Sequence, residues 1–359
     1  MSGLQSLRRS LMLSLALLVV ALSCNVSVDL DPRGAERVVQ TEGPWYDIYF
    51  TDPACPPQAE RDGGLDSIIA DDLLQAQSSV DIAAFDLDSE PIVDALIALR
   101  AQGLPVRVVI DEDNEDLSAI RRLRRNGIGV VTDGRSALMH NKFIVIDESV
   151  VWTGSLNYTS NGAYCNNNNA VRFDVPALAV NYRSEMDEMY ERRQFGPTSP
   201  VQVEVERVVV NGVLVESYFA PEEEVAPIIA DYVAQAEDEV LFMAFSFTEQ
   251  RIGSAMLDRA LEGITVRGVF ETTGSQTQFS QFGGMRDARL PNLQVRQDGN
   301  PRIMHHKVII VDDEIVIFGS FNFSQNANDS NDENVIVVHD AQFASYFEEE
   351  FNWVWGEAR

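Results

Sequence analysis

Residues 138–158, LMHNKFIVIDESVVWTGSLNY, and residues 303–323, IMHHKVIIVDDEIVIFGSFNF, are one pattern written twice at a constant offset of 165. Met139, His140, Lys142, Asp147, Gly154, Ser155 and Asn157 stand opposite Met304, His305, Lys307, Asp312, Gly319, Ser320 and Asn322. The likeness continues upstream, where residues 78–111 match 238–271 at an offset of 160. Downstream, the acidic and aromatic stretch around 181–190 matches the one around 344–353. Both copies also open alike, with Asp47-Ile48-Tyr49-Phe50 and Glu216-Ser217-Tyr218-Phe219 before a loop of proline and acidic residues. A duplication of this kind constrains folding more than any local propensity, because both copies must fold the same way and pack as a fused dimer would. The chain therefore divides into two repeats, 45–198 and 199–359.

Each repeat alternates strand and helix signals. In the first, residues 80–85 form an apolar run read as a buried strand, and 91–102 carry apolar residues at helical spacing closed by Gly103. A strand follows at 106–110, a helix at 117–125 closed by Gly127, and strands at 128–131, 143–146 and 150–152. The fold class is α/β: two repeats, each a mixed sheet flanked by helices, packed with pseudo-two-fold symmetry.

The chemistry lies in His-x-Lys-x-x-x-x-Asp followed by Gly-Ser-x-Asn, present once in each repeat. Of 27 basic residues only Lys142 and Lys307 are lysine, and the rest are arginine. Retaining lysine here alone points to a task for a compact ammonium rather than a planar fork. His140 and Lys142 alternate along a strand and share a face, as do His305 and Lys307. Two ammonium groups with the amides of Asn157 and Asn322 suit a phosphoryl group gathering negative charge. Ser155 and Ser320 read as hydrogen-bonding supports around the substrate, and Asp147 and Asp312 as supporting residues that orient neighbours or cap turns.

This doubled motif resembles the hallmark of the phospholipase D superfamily, over nearly all of the chain beyond the amino-terminal segment. The resemblance implies that both motifs meet at one site. One histidine attacks phosphorus to form a phosphohistidine, and the other protonates the leaving alcohol and then activates water. It also implies no cofactor and no metal for that chemistry. The repeats differ at one telling place: Glu333 stands opposite Asn168. Relatives resembling the second repeat use that glutamate to hydrogen-bond a catalytic imidazole. Pairing Glu333 with His305 would make His305 the acid and leave His140, beside the neutral Asn168, as the nucleophile.

Residues 1–23 read as a signal peptide: Arg8 and Arg9 precede a 12-residue apolar run, too short to span a bilayer. Cys24 follows a small-residue box and is a candidate lipidation site, and 24–44 reads as a tether. The protein is thus expected to be exported, to the cell envelope or beyond. Cys55 and Cys165 are then free to pair or not. The acidic runs 111–116 and 329–333 lack the glycine a calcium loop needs and read as surface loops. Gln276–Gly284 is a polar and aromatic stretch that could line the mouth of the site.

The net charge of −29 opposes polyanions at long range. It repels nucleic acid and anionic membranes alike, though a local basic site would still permit either; export and a candidate anchor beside a membrane, together with that charge, favour a phospholipid substrate or membrane surface over nucleic acid. The leading function is a metal-independent phosphodiesterase of phospholipase D type. The alternatives are an exported endonuclease of the same superfamily and a non-catalytic lipoprotein that binds anionic lipid. Two repeats in one chain remove the need for a dimer, so a monomer is expected.

Overall fold

The computed structural model describes residues 36–39, 44–200, 205 and 207–359. The expected signal peptide, Cys24 and most of the expected tether lie outside these residues. Glu36–Val39, within the span read as a tether, instead forms a strand that pairs in parallel with Arg207–Val210 of the second repeat.

The first repeat builds a seven-stranded sheet in the order Tyr46–Phe50, Asn169–Asp174, Val150–Gly154, Lys142–Ile146, Val80–Ala84, Val106–Ile110, Gly129–Thr132. The last three are parallel and the rest antiparallel, so the sheet is mixed. The second repeat builds the same order from Val213–Ala220, Glu333–His339, Ile315–Gly319, Lys307–Val311, Glu239–Ala244, Thr265–Phe270 and Leu293–Gln297. Glu36–Val39 and Arg207–Val210 extend that sheet at one edge to nine strands.

Strand periodicity explains the layering. Along Lys142–Ile146, Phe143 and Val145 enter a core shared by both repeats, while Ile144 and Ile146 enter a core private to the first. Val308 and Ile310 join the shared core, and Ile309 and Val311 the private core of the second repeat. Strands buried on both faces read as continuous apolar runs, which is what made them visible in sequence. The helices Pro176–Asp187 and Ala341–Glu357 lie within the shared layer, supplying Tyr182, Met186, Phe343 and Phe347. Glu90–Ala101 and Gln250–Leu261 cover the outer faces. Proline in the first turn and a Ser89 cap start the former. A disulfide between Cys55 and Cys165 ties the loop after Tyr46–Phe50 to the end of the short helix Ser160–Tyr164.

Candidate active site

The two motifs meet because each repeat lends backbone to the other. The backbone N–H of His140 donates to Asp332 O at 2.9 Å, and that of His305 donates to Asn167 O at 2.9 Å. Asp332 and Asn167 are themselves equivalent positions, so the exchange obeys the pseudo-two-fold. Each histidine is thereby placed beside the polar run of the opposite repeat.

This crossing corrects the pairing expected from sequence. Glu333 Oε2 lies 2.7 Å from His140 Nδ1, not beside His305. His305 Nδ1 instead donates to Asn168 Oδ1 at 2.9 Å and to Ser155 O at 3.0 Å. Equivalent positions in a repeat need not be partners; here the partner is the symmetry mate. Both histidines carry their proton on Nδ1, since every partner there is an acceptor, and Nε2 of each is left for chemistry. Asn168 cannot flip away: its Nδ2 donates to Gly162 O at 3.0 Å while Ser155 Oγ donates to Oδ1 at 3.0 Å. Ser320 Oγ holds Glu333 Oε2 at 2.7 Å in the same way. The two serines thus serve as the expected hydrogen-bonding supports, and each also accepts from a backbone N–H, of Asn169 or Asn334.

Lys142 Nζ donates to His140 O, and Lys307 Nζ to His305 O, both at 2.9 Å. Phe85 lies against His140 and under Lys142, and Phe245 does the same for His305 and Lys307. Sequence reading missed both rings, although they occupy matched positions just after equivalent strands. Burial pushes Lys142 down to about 7, against the pull of Glu333, Asp86 and Asp111. Burial likewise pushes His140 down to about 4, with Glu333 opposing and Lys142 adding to the fall. His305 and Lys307 are held well below their ordinary values, by burial first and then by the neighbouring positive charges. Burial resists ionising Glu333, yet His140, Lys142 and Ser320 hold its carboxyl below the usual range. Such a site is short of negative charge and suited to an anion.

Asn157 and Asn322 carry side-chain oxygens that are buried with no hydrogen-bond partner among the described residues. Their amides are not locked through those oxygens, which suits groups that turn onto a ligand. Two clefts flank the centre at pseudo-equivalent places. One, of about 500 Å³, is lined by Asp86, Asp88, Asn157, Thr159 and Arg302 among others. The other, of about 950 Å³, runs from Ser246, next to Phe245, past Thr248 to Gln278, Phe279, Ser280 and Gln281. The stretch suspected of lining the mouth therefore does line a cleft.

The two motif aspartates stand away from the chemistry. Asp147 accepts the backbone N–H groups of Gln77, Ser78 and Ser79, and Asp312 those of Glu237, Asp238 and Glu239. They are turn caps. The acidic runs read as surface loops are partly buried instead. Asp111 accepts Met139 N at 2.9 Å, and Asp332 pairs with Arg135. Both brace the segment leading into His140, a role that charge patterning alone conceals. Behind that segment, Asn141 and Asn334 bond at 2.9 Å, matched by Asn169 and His306 at 3.0 Å.

Comparison with known proteins bears on the family and the fold. The family model described as cardiolipin synthase, PLD-like domain, matches twice, at residues 69–190 and 229–355. A phospholipase D from Rickettsia bellii is 34% identical over 146 residues, covering 40% of this chain and 70% of the relative. A mitochondrial cardiolipin hydrolase from Xenopus tropicalis is 33% identical over 129 residues, 35% of this chain and 60% of the relative. Among solved structures, a phosphatidylserine synthase from Haemophilus influenzae is 14% identical with a TM-score of 0.62, covering 87% of this chain and 86% of that one, a likeness of fold. The chain belongs to the phospholipase D superfamily, and the activity this supports is that of a phosphodiesterase.

Proposed function

We propose that the protein hydrolyses phospholipid head-group esters through a phosphohistidine on His140. The observation that carries this is the crossed pair: His140 on Glu333, His305 on Asn168. When His140 Nε2 bonds to phosphorus, the imidazole becomes positive, and the carboxylate on Nδ1–H offsets that charge. Lys142, Lys307, Asn157 and Asn322 hold the non-bridging oxygens. The bound phosphate's negative charge raises the proton affinity of His305, which donates from Nε2 to the departing alcohol. Neutral again, His305 takes a proton from water as that water attacks phosphorus and frees His140. No step needs a metal or cofactor. His140 is kept as the nucleophile in this proposal on a reason other than the one read from sequence: its carboxylate partner would stabilise the covalent intermediate.

Three further observations favour lipid over nucleic acid. Curated relatives are named phospholipase D and cardiolipin hydrolase. The net charge is −29. The cleft beside Asn157 presents Asp86 and Asp88, which repel a polyanionic backbone. Export fits the Cys55–Cys165 bridge, since such bridges persist in oxidising compartments. Among the described residues no helix is long and apolar enough to cross a membrane. We propose that the chain is attached to the membrane through a lipid on Cys24.

The test is incubation with phosphatidylcholine or cardiolipin vesicles and, separately, single-stranded DNA, beside a His140→Ala control. Water-soluble head group released by the wild type alone, with DNA intact, is the expected result. DNA cleavage with intact lipid would replace this reading with the nuclease, and vesicle binding without turnover would replace it with a lipid-binding protein.

A further inference from the structure

Glu185, Glu188 and Glu222 converge behind the first His-x-Lys pair. Each offers a carboxylate oxygen, and these oxygens all lie within 4.8 Å of one another. Glu185 comes from the helix Pro176–Asp187, Glu188 from the turn of helix that follows it, and Glu222 from the loop after Val213–Ala220 of the second repeat. Glu185 is 6% exposed and Glu188 only 2%. Glu188 Oε1 is buried with no hydrogen-bond partner among the described residues, and the same holds for both carboxylate oxygens of Glu222.

The pseudo-two-fold supplies the control. Glu350 stands opposite Glu185, and His306 opposite Asn141. In the second repeat His306 Nε2 lies 2.9 Å from Glu350 Oε1, so one carboxylate meets one side chain able to carry a proton. In the first repeat Asn141 Nδ2 donates to Glu185 Oε1 at 2.9 Å and the Ser199 hydroxyl acts on Glu188 and Glu222, so three carboxyls meet only neutral donors there. Arg192 acts on Glu188, but Asp332, itself paired with Arg135, adds negative charge to Glu185 and Glu222. Carboxyls buried this close together either take up protons or hold a cation: burial, then mutual repulsion, pushes Glu185 well up, and burial with Asp332 and Glu188 pushes Glu222 up to about 8.

The donor set is all oxygen, which selects hard cations over zinc or copper. Oxygens up to 4.8 Å apart can bracket an ion at about 2.4 Å, the usual Ca²⁺ distance, whereas Mg²⁺ at about 2.1 Å needs them closer. We infer that Glu185, Glu188 and Glu222 form a Ca²⁺ site that joins the two repeats and, through Glu185 and Asn141, steadies the backbone between His140 and Lys142. The ion takes no part in the chemistry at the histidines.

The experiment uses the whole chain, freed of metal by chelation and dialysis, then titrated with CaCl₂ at pH 7.5. Calorimetry is expected to show one Ca²⁺ per chain, and 1 mM Ca²⁺ to raise the melting temperature by about 5 °C. Glu222→Gln and Glu188→Gln are each expected to weaken binding at least tenfold and remove the rise. Without Ca²⁺ both variants should melt close to the wild-type temperature, because burial already drives these carboxyls toward the neutral form that the amide mimics. No heat of binding and no change in melting with Ca²⁺ would overturn the inference. So would a Ca²⁺ response that survives both substitutions, which would place the ion elsewhere on an acidic surface. Tighter binding of Mg²⁺ than Ca²⁺ would overturn the choice of ion.

Discussion

Glu333 breaks the symmetry of the centre. In a site built from two copies of one motif, either histidine could attack; one carboxylate against one amide assigns the parts. Glu333→Gln keeps a hydrogen-bond acceptor for His140 Nδ1 but removes the charge, and kcat should fall by about 10²-fold in a head-group release assay. The pH profile follows from the same residues. Above about 4 His140 is neutral and able to attack, and above about 7 Lys142 loses the proton that makes it an anion ligand. The kcat/KM of wild type should therefore rise through the acid range and decline past neutrality, and a profile still climbing at pH 9 would contradict the role given to Lys142. The histidines, lysines and asparagines were legible in the sequence because the repeat displays them twice. The pairing of Glu333 was not, because an offset of 165 reveals which residues are equivalent and not which ones touch. Asn141, Asn169, Asn334, Glu185 and Glu350 were overlooked, although the same offset aligns them.

At the level of elements, the motif aspartates show how a striking pattern can serve the fold. Asp147 sits in the turn between Lys142–Ile146 and Val150–Gly154, with φ of 53°, and gathers three backbone N–H groups from the segment before Val80–Ala84. Replacing it by alanine should cost about 1–3 kcal/mol of stability, read by denaturant unfolding, and leave kcat within twofold. Burial is the largest single influence and raises its carboxyl pKa, but the hydrogen bonds from Gln77, Ser78 and Ser79 together prevail and hold it below the usual range. Because the folded value is the lower one, this stabilisation is in force above about pH 4 and fades as pH falls through the folded value. The stability gap between wild type and the alanine variant should narrow accordingly in acid. Strands such as Val106–Ile110 fall where the apolar runs placed them, since burial on both faces writes itself directly into sequence. Glu36–Val39 went unread because its pairing partner lies in the other repeat and four residues carry little periodicity.

Across the whole molecule, two sheets share one core in which Phe173 of the first repeat stacks near Phe318 and Phe343 of the second. Neither repeat can keep that face dry alone, so the repeats should unfold together, in one transition. The Cys55–Cys165 bridge closes a span of 110 residues. Changing both cysteines to serine, or reducing the bridge, should remove about 2–4 kcal/mol and lower the melting temperature without altering kcat. Both half-sites reside in one chain, so sedimentation at micromolar concentration should give a monomer that is fully active.

The account rests on a covalent phosphatidyl group at His140: the head-group alcohol leaves and phosphorus keeps its diacylglycerol ester. Rapid quenching of the enzyme with a phospholipid radiolabelled at phosphorus, followed by digestion and mass spectrometry under conditions that preserve the phosphorus–nitrogen bond, locates that group directly. The expected result is label on His140 during wild-type turnover, and none in His140→Ala. Label on His305, or turnover with none on either histidine, would contradict it.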